Sequence, residues 1–270
     1  MALTYPLANK TALITGASKG IGAATALELS RLGANVVINY ASDAAPAEAL
    51  VAKIGSDKAI AIKANAGDVK EIERLVQETV AWSGSGGKID ILIPNAGVSI
   101  MSTVEQTSEE DFQKTYDLNV KGPYFLVQSL PISLESWEED VGKGKALPYL
   151  QKGSHVVMLS TSLSVVSSIT PNYLLYVSSK GAIEQMTRVL AKDLGQKGIC
   201  VNAVAPGPTA TDLFFKGKPQ ALVDTIASWN PFKRIGEPAE IAKAIAYLSG
   251  DGGSWVNGQI LRVNGGMTVG

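Results

Sequence analysis

Residues 15–22 read Thr15-Gly16-Ala17-Ser18-Lys19-Gly20-Ile21-Gly22, and the fold is decided here. A short β-branched run at 11–15 leads into this turn, and a helical pattern at 21–32 leaves it. A strand, a glycine-rich turn and a helix in direct succession form the first half of a βαβ unit. Glycine lets the backbone turn sharply and approach a phosphate closely. The first N–H groups of the helix, at the positive end of its dipole, then face the anion. The glycines are separated by three residues and then by one, which differs from the common G-x-G-x-x-G fingerprint. Taken alone, the turn is either a nucleotide cradle or a piece of local packing.

The alternation continues outward from this turn. Strand candidates lie at 11–15, 35–39, 59–63, 89–94, 155–160, 200–205 and 259–263, several of them apolar almost throughout. Runs of that kind belong in central strands covered on both faces. Helical patterns fill the gaps at 21–32, 46–54, 69–82, 108–134, 173–194 and 238–248, with Gly33 as a C-cap and acids in the first turn after Ser108. The expected fold is α/β: one Rossmann-type domain over 1–270, a doubly wound sheet of about seven parallel strands with helices on both faces. Two segments break the rhythm. Residues 135–153, carrying Glu138-Glu139-Asp140 and Gly142-Lys143-Gly144-Lys145, read as an insertion, and 214–236, mixing aromatic residues with Gly and Pro, read as a lid over the substrate.

Composition narrows the function. Of 270 residues, 46% are hydrophobic and 18% charged, which suits a large core and argues against extensive disorder. A formal net charge of −1 gives no general attraction to nucleic acid or to an anionic membrane, so neither is expected as a partner. Cys200 is the only cysteine, which rules out an intrachain disulfide and suits the reducing cytoplasm. The lone His155 has no second His or Cys nearby to make a metal site, and the absence of a G-x-S-x-G elbow argues against a hydrolase.

Two further stretches carry chemistry. At the end of the second strand candidate, an acid would bond the ribose hydroxyls of NAD and repel a 2′-phosphate. Here the run is Asn39-Tyr40-Ala41-Ser42, with no acid before Asp43, and Lys19 offers a cation nearby. NADPH is the expected cofactor. In Tyr176-Val177-Ser178-Ser179-Lys180, the i, i+4 spacing puts the phenol and the ammonium on one helical face, where a neighbouring cation lowers the phenol pKa toward neutrality.

The ordered set Thr15-Gly16-x-x-x-Gly20-x-Gly22, Asn95-Ala96-Gly97, Asn119, Tyr176-x-x-x-Lys180 and Pro206-Gly207 resembles the short-chain dehydrogenase/reductase family across nearly the whole chain. Val201-Asn202-Ala203-Val204-Ala205-Pro206-Gly207 and Gly181-Ala182-Ile183-Glu184 look most like the NADPH-dependent polyhydroxynaphthalene and 3-oxoacyl reductases. The resemblance implies that Tyr176 donates a proton to a substrate carbonyl, Lys180 binds the nicotinamide ribose, and Asn119 helps hold a water in a proton relay. The family spacing selects Ser162, fourteen positions before Tyr176, as the catalytic hydroxyl, whereas alignment on the preceding strand selects Thr161; of the two, Ser162 is preferred. Cofactor contacts are implied at Gly16, Ser18, Lys19, Gly20, Ile21 and Gly22, then at Tyr40, Ala41, Ser42, Asn65 and Ala66 on the adenine side. Asn95, Ala96, Gly97, Val120, Pro206, Gly207 and Thr209 complete that set. Leu163, Tyr173, Leu213, Phe214, Phe215 and Trp229, with Thr161, are candidates for the substrate pocket, and they suggest an apolar or aromatic carbonyl or alcohol. By the same resemblance the chain is expected to form a homotetramer. A protein of the same fold that binds the nucleotide without turnover is the competing reading.

Overall fold

The computed structural model describes residues 5–83, 86–129 and 149–269. Its order of elements opens with β1 (Thr11–Ile14), α1 (Gly20–Arg31), β2 (Asn35–Tyr40), α2 (Ala45–Ile54), β3 (Ala59–Lys63), α3 (Val69–Trp82) and β4 (Ile91–Ile93). It continues with α4 (Glu109–Tyr116), a π turn (Asp117–Lys121), α5 (Gly122–Gln128), β5 (His155–Leu159), α6 (Leu174–Gly195) and β6 (Cys200–Pro206). The chain closes with α7 (Asp212–Phe215), α8 (Gln220–Ala227), α9 (Pro238–Leu248) and β7 (Ile260–Val263). The seven strands form one sheet in the order β3-β2-β1-β4-β5-β6-β7, every pairing parallel.

The period-2 alternation of each strand builds two apolar layers. Ala12 and Ile14 of β1, Val36 and Ile38 of β2 and Ile91 and Ile93 of β4 face the layer that holds Leu29 of α1, Leu50 of α2 and Ile245 of α9. Leu13, Val37 and Leu92, the residues between them, face the opposite layer with Leu75 of α3, Leu126 of α5 and Ile183 of α6. Strands buried on both faces carry no polar alternation, which is why they read as continuous apolar runs.

Strand order reverses between β1 and β4, and the crevice beyond the carboxyl ends of these two strands is where such sheets bind ligands. The expected elements are present with ends shifted by a residue or two, except in the run expected as one helix over 108–134. There α4 and α5 are separated by the π turn, in which the Gly122 N–H donates to the Asp117 carbonyl. The cause is Pro123. It has no N–H to give, and its ring would strike the carbonyl four residues back. Of the expected helix at 108–134 and the expected insertion at 135–153, residues 130–148 lie outside the described residues. The expected lid at 214–236 contains the end of α7 and all of α8.

Candidate active site

The glycine turn is held by its own Thr15 and by side chains from two other strand ends. Thr15 Oγ1 accepts the N–H groups of Asn95 and Ala96, both at 3.0 Å, and Asn95 Nδ2 donates back to the Thr15 carbonyl at 2.8 Å. Asn39, 1% exposed at the end of β2, accepts the Gly16 N–H at 3.2 Å. Its amide donates to the carbonyls of Ile62 and Ala64 at 3.2 and 2.9 Å. One residue therefore joins β2, the end of β3 and the turn. No room remains for a side chain at Gly22, where a Cβ would lie 2.6 Å from both Asn95 Nδ2 and the Gly16 carbonyl.

A cavity of about 520 Å³ runs from this turn along the carboxyl ends of the strands. Gly16, Ser18, Lys19, Gly20, Ile21 and Gly22 line one end, with residues 40–42, Asn65 and Ala66 beside them. Lys19 is exposed. Asp43 also reaches this end, where its carboxylate accepts the Ala45 N–H at 3.2 Å. Residues 95–97, Pro206, Gly207 and Thr209 line the middle. The far end is walled by Leu163, Tyr173, Leu213, Phe214, Ile226 and Trp229, so it is largely apolar. Phe215 points elsewhere and is exposed.

Tyr176 and Lys180 sit in the first two turns of α6 and both line the cavity. Lys180 is 6% exposed, and its Nζ donates to the Leu159 carbonyl at 2.7 Å. Burial lowers its pKa from 10.5 to about 8. For Tyr176 the expected depression by the ammonium is not found: burial pushes the phenol up to about 12, against the opposing effect of a hydrogen bond with Thr161. Lys180 Nζ lies 6.0 Å from the Tyr176 ring centre and is spent on the end of β5 rather than on the phenol oxygen.

The preference for Ser162 is corrected by the geometry. Its hydroxyl is wholly buried and donates to the Ala205 carbonyl of β6 at 2.8 Å, and Ser162 does not line the cavity. Thr161 lines it and meets Tyr176. A turn of 3-10 helix over Ser162–Val165, capped by Thr161 Oγ1 accepting the Leu163 N–H at 3.3 Å, sends the two adjacent hydroxyls to opposite sides.

The π turn carries Asn119 inward, where it is fully buried. Its Oδ1 accepts the Val98 N–H at 2.9 Å, and its Nδ2 donates to the Val98 carbonyl at 2.9 Å and to Ser179 Oγ at 3.0 Å. Both amide protons are committed, so the side chain fastens the loop after β4 to α6. Gly97 leaves space for this, since a Cβ there would lie 3.1 Å from Asn119 Oδ1 and 3.6 Å from Lys180 Nζ. Val120 does not line the cavity, whereas Leu118 does, because the widened turn changes which residue faces inward. Sequence reasoning also missed Asn39, Thr211 and Lys218 on the cavity wall. The first two had a signal: one precedes Tyr40, and the other follows the Pro206-Gly207 turn.

Among the described residues, no group of His, Cys, Asp and Glu is arranged to hold a metal, and no helix is long and apolar enough to cross a membrane. Residues 10–221 match the family model described as short chain dehydrogenase. The chain is 39% identical over 276 residues to a short chain dehydrogenase of Emericella nidulans, covering 97% of this chain and 96% of that one. It is 38% identical over 274 residues to an NADPH-dependent aldehyde reductase-like protein, chloroplastic, of Arabidopsis thaliana, with coverage of 97% and 95%. Among solved structures, it superposes on a short chain dehydrogenase from Burkholderia cenocepacia in complex with NADP at a TM-score of 0.84, with 30% identity and coverage of 98% and 100%.

Proposed function

The chain belongs to the short-chain dehydrogenase family, and on that premise we propose that it is an NADPH-dependent carbonyl reductase with Tyr176 as the proton donor. The observation that carries this reading is the meeting of Thr161, Tyr176 and Lys180 at the junction between the glycine turn and an apolar pocket.

The residues fit NADPH. The tight turn that Gly22 allows by packing against Asn95 and the Gly16 carbonyl, the N-terminus of α1 and the N–H groups of the turn suit a pyrophosphate. Lys19 and the acid-free stretch 40–42 suit a phosphorylated ribose. When bound, NADPH supplies the hydride for the carbonyl carbon. With its pKa near 12, Tyr176 stays protonated through neutrality and gives its proton to the carbonyl oxygen. Thr161 donates a hydrogen bond to the same oxygen as charge grows there. Lys180, fixed by Leu159, stands ready for the ribose hydroxyls, and Asn119 keeps the 95–98 loop in place beside it. Leu163, Phe214 and Trp229 favour an apolar or aromatic ketone or aldehyde.

Two features of the setting belong to the same proposal. Exposed Phe112, Tyr124, Leu174 and Val189 on α4, α5 and α6 support assembly into a homotetramer, and the unpaired Cys200 supports a cytoplasmic location.

Purified protein, NADPH and a panel of ketones and aldehydes test the reading. Tyr176→Phe is expected to lower kcat on the order of a thousandfold while NADPH still binds. Full turnover by that variant would overturn the mechanism. NADPH binding by the wild type without turnover of any carbonyl would favour a nucleotide-binding protein that is not an enzyme.

A further inference from the structure

Glu184 is a buried carboxylate that the chemistry above does not use. It lies on α6, two turns beyond Tyr176 and one beyond Lys180, and is only 6% exposed. Its Oε1 accepts hydrogen bonds from Ser160 Oγ at 3.0 Å and Ser164 Oγ at 2.6 Å, and its Oε2 faces Arg188 at 3.4 Å. Ser164 Oγ also lies 2.9 Å from the Thr161 carbonyl, but a hydroxyl has one proton, and the shorter, charge-assisted bond to Glu184 takes it. The Thr161 carbonyl still receives the Ser164 N–H at 3.3 Å.

The two serines bracket Thr161. Ser160, before it, is tied to α6 through Glu184, and Ser162, after it, is tied to β6 through the Ala205 carbonyl. Ser164, at the far end of the short turn, returns to the same carboxylate oxygen. The segment carrying Thr161 and Leu163 is thus clamped to the helix that carries Tyr176. A buried carboxylate is costly to maintain unless its oxygens are satisfied. Here the bonds that satisfy it come from the loop whose position sets the distance between the two hydroxyls at the substrate oxygen.

We infer that Glu184 is a positioning residue: by holding Ser160 and Ser164 it fixes Thr161 against Tyr176, so that both hydroxyls converge on the substrate carbonyl. This rests on the reading of Thr161 and Tyr176 as the pair that meets that oxygen. A glutamine keeps one carbonyl oxygen able to accept from both serines, whereas leucine, of similar size, accepts from neither.

Steady-state kinetics with NADPH and a reducible ketone, on wild type, Glu184→Gln, Glu184→Leu, Thr161→Ala and the Thr161→Ala/Glu184→Leu double variant, form the test. Glu184→Leu is expected to lower kcat by about tenfold or more with the KM for NADPH held within about twofold, and Glu184→Gln to recover most of that loss. In the Thr161→Ala background, Glu184→Leu is expected to cost little more, because the group it positions is gone. Should Glu184→Leu fold poorly, Ser160→Ala/Ser164→Ala removes the clamp from the loop side and is expected to lower kcat in the same selective way. Losses that multiply in the double variant, or a matching rise in the KM for NADPH, would overturn the inference and leave Glu184 a packing residue. Wild-type kcat in Thr161→Ala would instead overturn the reading of Thr161, and the role of Glu184 with it.

Discussion

Lys180 Nζ donates to the carbonyl oxygen of Leu159 at 2.7 Å, so the ammonium that serves the active site is moored to the last residue of β5. Its pKa of about 8 lies below the 10.5 of an ordinary lysine because burial penalises the charge. Between pH 8 and 10.5 the unfolded chain binds more protons than the folded one, so stability rises with pH across that window and the penalty is fully present below it. Lys180→Met is expected to remove this rise, a difference of up to about 3 kcal/mol across the window. Urea unfolding from pH 7 to 9 checks it, a range that stays below the 10.0 at which Tyr176 titrates in the unfolded chain. Parallel curves for the two proteins would contradict the assignment.

Thr161→Ala and Ser162→Ala are expected to separate chemistry from packing. The first removes a donor at the developing oxyanion and should lower kcat on the order of a hundredfold with little change in melting temperature. The second deprives the Ala205 carbonyl of a buried donor, so it should cost about 1 kcal/mol of stability and leave kcat within about threefold. Kinetics and thermal melts on the two variants decide between them, and a reversed pattern would restore Ser162 to the site.

Asn39→Ala leaves the Gly16 N–H and the carbonyls of Ile62 and Ala64 without their side-chain partner. The expected result is a loss of about 2 kcal/mol in stability, together with a KM for NADPH raised about tenfold at nearly unchanged kcat. An unchanged KM would mean that the turn holds its shape without Asn39.

Lys19→Ala combined with Ala41→Asp is expected to invert cofactor preference. A cation is withdrawn and an acid is set where a 2′-phosphate would sit, and like charges so placed cost several kcal/mol. The ratio of kcat/KM for NADPH to that for NADH should fall by more than about a hundredfold. If it does not move, the 2′-phosphate lies elsewhere.

Much of this was legible locally. The glycine turn, the acid-free end of β2 and the Tyr176–Lys180 spacing each depend on neighbours within a few positions, and residues of each line the cavity. The choice between Thr161 and Ser162 was not, because a strand end alternates its faces and one residue decides between cavity and β6. The place of Asn39 before Tyr40 was legible but its role was not, because its partners lie 23 and 25 positions along the chain. Local periodicity does not register such contacts. The upward shift of the Tyr176 pKa was equally out of reach, since it arises from burial by residues drawn from several elements.

The widened turn at Asp117–Lys121 also sets a rule for chain length. It holds one residue more than an α-helix would, and each residue rotates a helix by about 100°. Deleting a residue there would force the turn back to α-helical spacing, which Pro123 opposes, and would draw Asn119 off Val98 in the same stroke. A change of length in this stretch therefore disturbs the seat of Asn119, while replacement of the outward Lys121, whose ion pair with Asp117 is solvent-facing, is cheap. Its length is more tightly constrained than its composition.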